Sequence, residues 1–301
     1  MINLSMVNKL KLLEKTLKIK IKGQNHVIPE IVQVLQNGEF GLKSKDRPKG
    51  TFLFLGPTGV GKTEITLTFS DYLFGKGKLY RFDMSEFMHF DSVKEFRGDE
   101  SGNIGRLEEV LLKHKEGVLL FDEMEKADKR ILDLFLQILD TATVTLAKGA
   151  KYNLSNFYIV FTSNIGSGRI KDSKYLTYGR IKKAITLELK SVLRPEFVAR
   201  ISNICVFRKL EYDVQKEIAE NMLKSEMKRI KHLGHNITYD NSLLNYVIRN
   251  GIDRNMGARP LRNCIETTVQ TAVSDRLVNG CSANGIVQAD LKSNRIQLNN
   301  N

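Results

Sequence analysis

The segment GPTGVGKT, residues 56–63, has the spacing of glycines, lysine and hydroxyl residue that surrounds phosphate groups in proteins. Backbone N–H groups of such a turn point at phosphate oxygens, and the following helix presents its N-terminus to them. Lys62 would supply positive charge to the β- and γ-phosphates, and the Thr63 hydroxyl would ligate Mg²⁺. The predicted nucleotide-binding residues of this turn are Pro57, Thr58, Gly59, Val60, Gly61, Lys62 and Thr63.

An acidic pair ends the apolar run GVLLFD. Asp122 is the last residue of this run and Glu123 follows it. Carboxylates at the carboxyl end of a strand lie where open α/β sheets bind ligands, so Asp122 is expected to hold the water shell of Mg²⁺. Glu123 is expected to polarise an attacking water as a general base. Together with the phosphate-binding turn, the pair predicts hydrolysis of a nucleoside triphosphate.

Five short apolar runs bounded by turn residues are expected to form the strands that position these side chains. Longer helical patterns separate most of the runs, and two helices separated near Gly23 are expected in residues 8–37. This alternation is typical of a parallel sheet with crossover helices. We therefore predict an α/β fold with a parallel five-stranded sheet, whose strands lie in residues 51–56, 79–84, 117–122, 157–164 and 203–207.

The pattern changes after residue 207. Strand-like runs nearly vanish, and amphipathic helical patterns occupy residues 214–230, 242–248 and 259–277 before a short β-like tail. The sequence thus predicts two domains: a large nucleotide-binding domain in residues 1–207 and a small, mainly helical domain in residues 208–301.

The chain is basic, with 47 Lys and Arg residues against 34 Asp and Glu residues and a formal net charge of +13. Such a charge attracts polyanions, nucleic acid among them. The basic residues are nevertheless scattered, mostly at spacings that suit solvated helix faces. Nucleic-acid binding is therefore an alternative that the pattern does not favour.

The three cysteines, Cys205, Cys264 and Cys281, are odd in number and widely separated, which is typical of reduced thiols. No apolar run reaches the length of a membrane span, and the first residues lack the apolar core of a signal peptide. These features predict a cytoplasmic protein that does not insert into a membrane.

Four further segments narrow the assignment. Asn164 lies in FTSNIGS, Arg200 in LRPEFVARI and Arg259 in GARPL, while IKGQ occupies residues 21–24. Together with RFDMSEFM, LLFDEMEKAD and LFLQILD they follow one collinear order between about residue 10 and residue 277. In these motifs the chain resembles the AAA+ ATPases of the Clp family, and more narrowly the second, C-terminal ATPase module of ClpA/ClpB-type unfoldases.

The resemblance implies ATP and Mg²⁺ as cofactors and assigns further roles. Asn164 would be the first sensor, orienting the attacking water, and Arg259 the second sensor, reporting nucleotide state from the small domain. Arg200 would be the arginine finger that acts on the ATP of a neighbouring subunit. A finger acting in trans implies a homo-oligomeric ring, usually a hexamer. The adenine would lie by Ile21, Lys22 and Gly23.

One loop departs from the family pattern. The family's pore loop carries Gly-aromatic-Val-Gly, whose aromatic ring faces the ring's channel and grips an extended polypeptide. The matching residues here are Gly102, Asn103, Ile104 and Gly105, and the loop is shorter. Asparagine offers little apolar area and seeks specific hydrogen bonds, whereas an aromatic face contacts any sequence. With Asn103 and Ile104 as pore-loop residues, we expect weakened general threading; a freely varying surface loop is the alternative.

Two other segments also differ from the family. Residues 140–153 lack its Gly-Arg and Asp-Gly turns and carry Ala142, Thr143, Leu146 and Ala147 instead. Between residues 164 and 200 there is no Ile-Gly-Phe/Leu tripeptide of the kind that docks ClpA-like rings onto a peptidase, so peptidase coupling is not expected. These 301 residues also contain no counterpart of the family's first ATPase module, and the sequence leaves open whether the chain stands alone or is a fragment.

Three functions are compatible with these features. The first is a ring-forming, Mg²⁺-dependent ATPase that remodels or disassembles a dedicated protein partner, whose identity the sequence does not reveal. The second is an AAA+ motor acting on nucleic acid or a nucleoprotein. The third is a scaffold whose assembly, rather than its turnover, is controlled by nucleotide.

Overall fold

The computed structural model describes residues 4–99, 101–146, 149–172, 177–253, 256–290 and 295–299. Their contacts divide the chain into two units, one formed by Met1–Gly56 with Gly61–Arg208 and the other by Pro57–Val60 with Lys209–Asn301. The tip of the phosphate-binding turn thus groups with the second unit, within which the Ala258 N–H donates to the Gly59 carbonyl oxygen at 3.0 Å.

The first unit alternates helices and strands. Its helices are α1 (Leu4–Lys20), α2 (Ile28–Glu39), α3 (Lys62–Phe74), α4 (Phe90–Arg97), α5 (Arg106–Lys113), α6 (Lys129–Thr141), α7 (Ser167–Asp172), α8 (Tyr178–Val192) and α9 (Pro195–Arg200). Its strands are β1 (Gly50–Leu55), β2 (Leu79–Asp83), β3 (Gly117–Asp122), β4 (Thr143–Thr145), β5 (Lys151–Asn153), β6 (Phe157–Ser163) and β7 (Asn203–Val206).

Five of these strands form one sheet in the order β2-β3-β6-β1-β7, and every neighbouring pair is parallel. All residues of β1, β3 and β6 are buried, which explains why these strands are continuous apolar runs rather than alternating ones. The predicted α/β fold with a parallel five-stranded sheet and flanking helices is confirmed.

A cluster of phenylalanines fills one face of this sheet. The ring of Phe121 on β3 stacks on Phe82 of β2 and on Phe161 of β6, each with centroids 5.4 Å apart. From helix α6, Phe135 packs against Phe121 and Phe161 at 4.5 and 5.0 Å. Aromatic pairs at such separations add attraction beyond the area they bury, so the three strands and α6 form a rigid base under the strand ends.

The strand order brings the predicted chemical residues to one edge of the sheet. Gly56, Asp122 and Asn164 stand at the carboxyl ends of β1, β3 and β6, and β6 lies between the other two strands. In the register, Leu55 pairs with Ser163 and Phe121 pairs with Phe161, so Gly56 is level with Asn164 and Asp122 is level with Thr162, two positions earlier. Ligands of open parallel sheets bind at this edge.

The short hairpin of β4 and β5 is absent from the sequence-based prediction. The two strands pair antiparallel, with Val144 opposite Tyr152. Each strand has three residues, too few for an alternating pattern to stand out. Ala142, at φ +47°, ends α6 and turns the chain into the hairpin. Ala147, one of the substituted family positions, lies outside the described residues.

The second unit has the predicted small, mainly helical fold. Helices α10 (Tyr212–His232), α11 (Asn241–Gly251) and α12 (Arg259–Val278) pack around an apolar core, and a sheet of order β10-β9-β8 completes the unit. Its strands are β8 (Ile237–Tyr239), β9 (Gly285–Asp290) and β10 (Arg295–Asn299). The β-like tail forms β9 and β10, and the three-residue β8 was not predicted. In the described part of the chain, no helix is long and apolar enough to cross a membrane.

Candidate functional site

The phosphate-binding turn leaves β1 and enters α3. Gly59 and Gly61 have φ values of +76° and +106°, a region in which side chains other than glycine are strained. Left-handed glycines of this kind allow successive backbone N–H groups to point into a loop, and α3 begins immediately afterwards at Lys62. The local geometry is therefore that of an anion-binding turn at a helix N-terminus.

Lys62 connects this turn to the neighbouring strand end. Its side chain is buried, and its ammonium donates to the Gly56 carbonyl oxygen and, at 3.0 Å, to Asn164 Oδ1. A buried ammonium must be hydrogen-bonded to offset its lost hydration. The two acceptors thus fix the lysine charge above the carboxyl ends of β1 and β6.

Asp122 is held through both carboxylate oxygens. The Thr162 hydroxyl donates to Oδ1, and Arg81 Nη2 lies 2.6 Å from Oδ2. Thr162 Oγ1 also accepts the backbone N–H of Glu123 at 3.1 Å. One threonine on β6 therefore orients both members of the acidic pair that ends β3.

Glu123 has φ +55° and ψ +47°, a left-handed conformation that is uncommon outside glycine. Such outliers cost free energy and cluster at sites where the surrounding structure requires them. The Asn164 amide donates to Glu123 Oε1 at 3.5 Å, and Lys126 Nζ lies 2.5 Å from Oε2. This hydrogen bond from Lys126 also raises the pKa of the lysine. The glutamate side chain is thereby directed toward Asn164.

Asn164 joins the two halves of the site. Its amide contacts both Lys62 and Glu123, while its backbone N–H donates to Glu125 Oε1 at 3.0 Å. The structure therefore brings Lys62, Asp122, Glu123 and Asn164 together at one edge of the sheet. An amide that reaches both a cation and a carboxylate is suited to holding a water between the phosphate side and the base.

The donor set fits a nucleotide with a divalent cation. The Thr63 hydroxyl is at the second position of α3, and the Asp122 carboxylate ends β3. Both are oxygen groups of the kind that Mg²⁺ prefers as ligands. On the predicted adenine side, Ile21 is buried and Gly23 has φ +75°. The adjacent Gln24 is fully buried and hydrogen-bonds both the N–H and the carbonyl oxygen of Arg208, at 3.0 and 2.8 Å.

The two predicted sensor and finger arginines lie on other elements. Arg200 is the last residue of α9, where its Nε donates to Asp140 Oδ1 at 2.5 Å. Arg259 is the first residue of α12 in the second unit, and it is exposed. The finger side chain is thus held by its own ion pair rather than by the strand-end residues.

The predicted pore loop closes on itself. Asn103 Nδ2 donates to Asp99 Oδ2 at 2.7 Å, and the Asn103 N–H donates to Asp99 Oδ1 at 3.0 Å. In return the Asp99 N–H donates to the Asn103 carbonyl oxygen at 3.1 Å. The side-chain hydrogen bond from Asn103 lowers the pKa of Asp99. Ile104 beside them is 60 % exposed, and it is the loop's apolar side chain.

The end of the loop is fixed by Arg106, the first residue of α5. Its guanidinium lies 2.5 Å from both Glu86 Oε2 and Glu95 Oε1, and 5.4 Å from the centre of the Phe87 ring. These contacts anchor the loop to the segment that precedes it. We define residues 99–105 as the Asp99 loop.

Comparison with known families decides the assignment. A family model described as AAA domain (Cdc48 subfamily) matches residues 47–204, more than half of the chain. The chain belongs to this family. A second model, the C-terminal, D2-small domain of ClpB protein, matches residues 210–289. The AAA match covers β1, β2, β3 and β6 with their strand-end residues, and the second match covers the three helices of the second unit.

Clp proteins are among the proteins similar to this AAA chain. It is 34 % identical over 288 residues to the ATP-dependent Clp protease ATP-binding subunit ClpC of Staphylococcus epidermidis, covering 91 % of the chain and 35 % of that protein. It is 35 % identical over 277 residues to the chaperone protein ClpB of Malacoplasma penetrans, covering 90 % and 38 %. The chain thus spans little more than a third of the length of these relatives.

A solved structure agrees with these matches. The closed state of Hsp104 with ATPγS and FITC casein superposes with a TM-score of 0.86 at 28 % identity, over 99 % of this chain and 52 % of that one. The predicted resemblance to the C-terminal ATPase module of the Clp family is therefore confirmed. The roles of the individual residues stay predictions.

Four residues that contact this AAA site are missing from the sequence-based set: Thr162, Arg81, Glu125 and Lys126. Thr162 lies inside a continuous apolar run, where nothing in the sequence separates a hydroxyl that supports a carboxylate from one that only packs. Arg81 also carried no clear signal, because it is exposed on the edge strand β2, where an arginine needs no charged partner. Its ion-pair partner Asp122 is the last residue of the neighbouring strand β3.

Proposed function

We propose that this AAA chain is a Mg²⁺-dependent ATPase that works as a homo-oligomeric ring, most simply a hexamer, and remodels or disassembles a dedicated protein partner. The observation that carries the proposal is the hydrogen-bonded series Lys62, Asn164 and Glu123 at the carboxyl edge of the sheet. It contains a phosphate-binding cation, a water-orienting amide and a general base in one connected group.

The residues of this edge divide the work of hydrolysis. The turn of residues 56–61 binds the phosphates through its N–H groups, and Lys62 offsets their charge. Asn164 and Glu123 position and deprotonate the attacking water, the proton passing to the Glu123 carboxylate. When bound through Thr63 and Asp122, Mg²⁺ would neutralise charge on the β- and γ-phosphates.

Nucleotide recognition and ring communication involve the remaining predicted residues. Ile21, Lys22 and Gly23 would contact the adenine, and Arg259 would sense the nucleotide from the second unit. Arg200 would act on the ATP of the neighbouring subunit, because an arginine that spreads charge over the γ-phosphate is worth about 10³–10⁵ in rate.

The Asp99 loop supports the second half of the proposal, the weakened threading of arbitrary polypeptides. Its Asn103 side chain is bonded to Asp99, so the position that carries an aromatic ring in the family presents a satisfied amide. Ile104 offers a smaller apolar surface than an aromatic ring. A loop with this surface is better suited to binding one complementary partner than to binding extended polypeptides of arbitrary sequence.

Binding of unfolded, fluorescein-labelled casein in the presence of ATP tests this part of the proposal. Substituting Asn103→Tyr restores an aromatic side chain and removes the amide bond to Asp99, so casein affinity should rise. Ser101→Tyr is the matched control, since it adds the same ring at another exposed position of the Asp99 loop. If Asn103→Tyr and the unaltered chain bound casein with equal affinity, the loop would have no role in polypeptide binding.

The partner itself is accessible through the Glu123→Gln variant. This change keeps the phosphate-binding turn and Lys62 but removes the base, so the ring should stay in its ATP-bound form and retain its partner. Partners captured by Glu123→Gln with ATP but not by Lys62→Ala would be those that depend on nucleotide.

One alternative, a motor acting on nucleic acid, is compatible with the formal charge of +13, although the scattered basic residues do not favour it. Phosphate contacts weaken steeply with salt, so ATP turnover measured with DNA or RNA across a salt series separates the two functions. Protein remodelling predicts no stimulation at any salt concentration, whereas stimulation that falls with salt would favour the motor. A nucleotide-gated scaffold, by contrast, would show assembly without brisk turnover.

A further inference from the structure

An aspartate at the end of α6 faces the predicted arginine finger. Asp140 lies in the last turn of α6, and its Oδ1 accepts the Nε–H of Arg200 at 2.5 Å. On the other side of the guanidinium, Nη1 donates to the Glu196 carbonyl oxygen at 2.6 Å. The guanidinium is therefore fixed through two of its three nitrogens.

The third nitrogen, Nη2, makes no hydrogen bond within the described part of the chain, and the Arg200 side chain is 29 % exposed. The hydrogen bond from Arg200 lowers the pKa of Asp140, so at neutral pH the pair consists of a guanidinium cation and a carboxylate anion. Arg47 approaches the same carboxylate at 3.8 Å and donates to the Leu139 carbonyl oxygen at 2.7 Å. Two arginines thus share one carboxylate, and Arg200 has the shorter contact.

We propose that Asp140 is a positioning residue for Arg200, holding the guanidinium so that Nη2 is presented to the nucleotide of the neighbouring subunit. This inference rests on the proposed ring ATPase. An unrestrained arginine samples many rotamers, and misplacing a catalytic group by about 1 Å can cost roughly 100-fold in rate. A short contact at Nε and a second at Nη1 remove that freedom without occupying the nitrogen that would meet the phosphate.

The same two elements provide a matched control. Arg194, at the start of α9, pairs with Asp133 of α6 at 2.6 Å. Asp133 lies two helical turns before Asp140 on the same side of α6. Removing Asp133 therefore perturbs α6 and an aspartate–arginine pair in a similar way without touching Arg200.

Steady-state kinetics of the full chain give the first test. Asp140→Asn should lower kcat for ATP by roughly 10- to 100-fold, with little change in KM or in the affinity for a fluorescent ATP analogue. Asp140→Glu, which keeps the charge, should recover part of the loss, and Asp133→Asn should leave kcat unchanged. The proposal would be overturned if Asp140→Asn lowered kcat no more than Asp133→Asn does, or no more than Arg47→Ala does.

Mixed rings give the decisive test, because a finger acts on its neighbour. Arg200→Ala or Asp140→Asn subunits have intact ATP sites, whereas Glu123→Gln or Lys62→Ala subunits have intact fingers. Mixing a finger variant with a site variant should restore turnover above the sum of the two alone. Recovery with Arg200→Ala but not with Asp140→Asn overturns the role of Asp140 only. No recovery with either finger variant overturns the trans role of Arg200, and the ring proposal with it.

Discussion

The strand-end site and the Asp99 loop are held in opposite ways. At the site, hydrogen bonds join residues far apart in sequence, 102 positions between Lys62 and Asn164 and 39 between Glu123 and Thr162. In the loop, Asp99 and Asn103 are only four positions apart; Asn103 is exposed and Asp99 is half-buried. The site therefore requires the whole sheet, whereas hydrogen bonds between residues close in sequence hold the loop closed. A substitution in the loop can change what the protein contacts without disturbing the chemistry.

The largest expected effect tests the chemical side of this comparison. Glu123→Gln should lower kcat for ATP by roughly 10²–10⁴-fold, since the general base is lost. ATP binding should persist, because Lys62 and the phosphate-binding turn are unchanged. Glu109→Gln is the control, an exposed glutamate paired with Lys113, and should have no effect. Turnover and nucleotide affinity are measured on the same preparations, and normal turnover in Glu123→Gln would remove it as the base.

The next largest effect is expected from removing the Thr162 hydroxyl, which supports the acidic pair of the site from the neighbouring strand. Thr162→Val keeps the shape of the side chain but removes the hydroxyl that bonds Asp122 and the Glu123 N–H. Leaving buried partners unsatisfied should cost about 1–3 kcal/mol in the free energy of unfolding. Because both acidic residues then lose their orientation, kcat should fall further than this loss of stability alone would cause. Urea unfolding and ATP turnover together check the prediction, and a variant that loses stability but keeps full turnover would contradict it.

A smaller effect, on stability alone, is expected from a long-range hydrogen bond close to the Asp99 loop. The Tyr152 hydroxyl on β5 donates to Glu108 Oε1 at 2.6 Å, joining the hairpin to α5, the helix directly after the Asp99 loop. Tyr152→Phe removes this bond and should lower the free energy of unfolding by about 1 kcal/mol. ATP turnover should be unchanged.

The same contact has a pH signature. The hydrogen bond to Glu108 raises the pKa of Tyr152 from 10.0 to about 12. Because folding favours the neutral hydroxyl, its stabilisation is complete below pH 10 and is lost as the pH rises toward 12. The difference in unfolding free energy between the unaltered chain and Tyr152→Phe should therefore shrink over this interval. If this difference in unfolding free energy stayed constant, the pKa of Tyr152 would be the same in the folded and unfolded chain, and the prediction would be wrong.

The sequence predicts that the strand-end residues lie together, because each of them belongs to a contiguous motif. Gly56, Asp122 and Asn164 each follow an apolar run, and parallel strands place such ends at one edge. Thr162 and Glu125 could not be predicted, because their roles depend on the register between β3 and β6. The pairing of Asn103 with Asp99 was also missed, since side-chain rotamers of an exposed loop are set by local contacts rather than by periodicity. The three-residue strands β4, β5 and β8 were too short to show a pattern.

ATP turnover by the unaltered full chain, measured with Mg²⁺ in the absence and then in the presence of unfolded casein, tests the central claim most directly. A complete strand-end site beside a loop without an aromatic grip predicts turnover without casein and little change when casein is added. Either no turnover at all, or strong stimulation by casein that Asn103→Ala abolishes, would contradict the account.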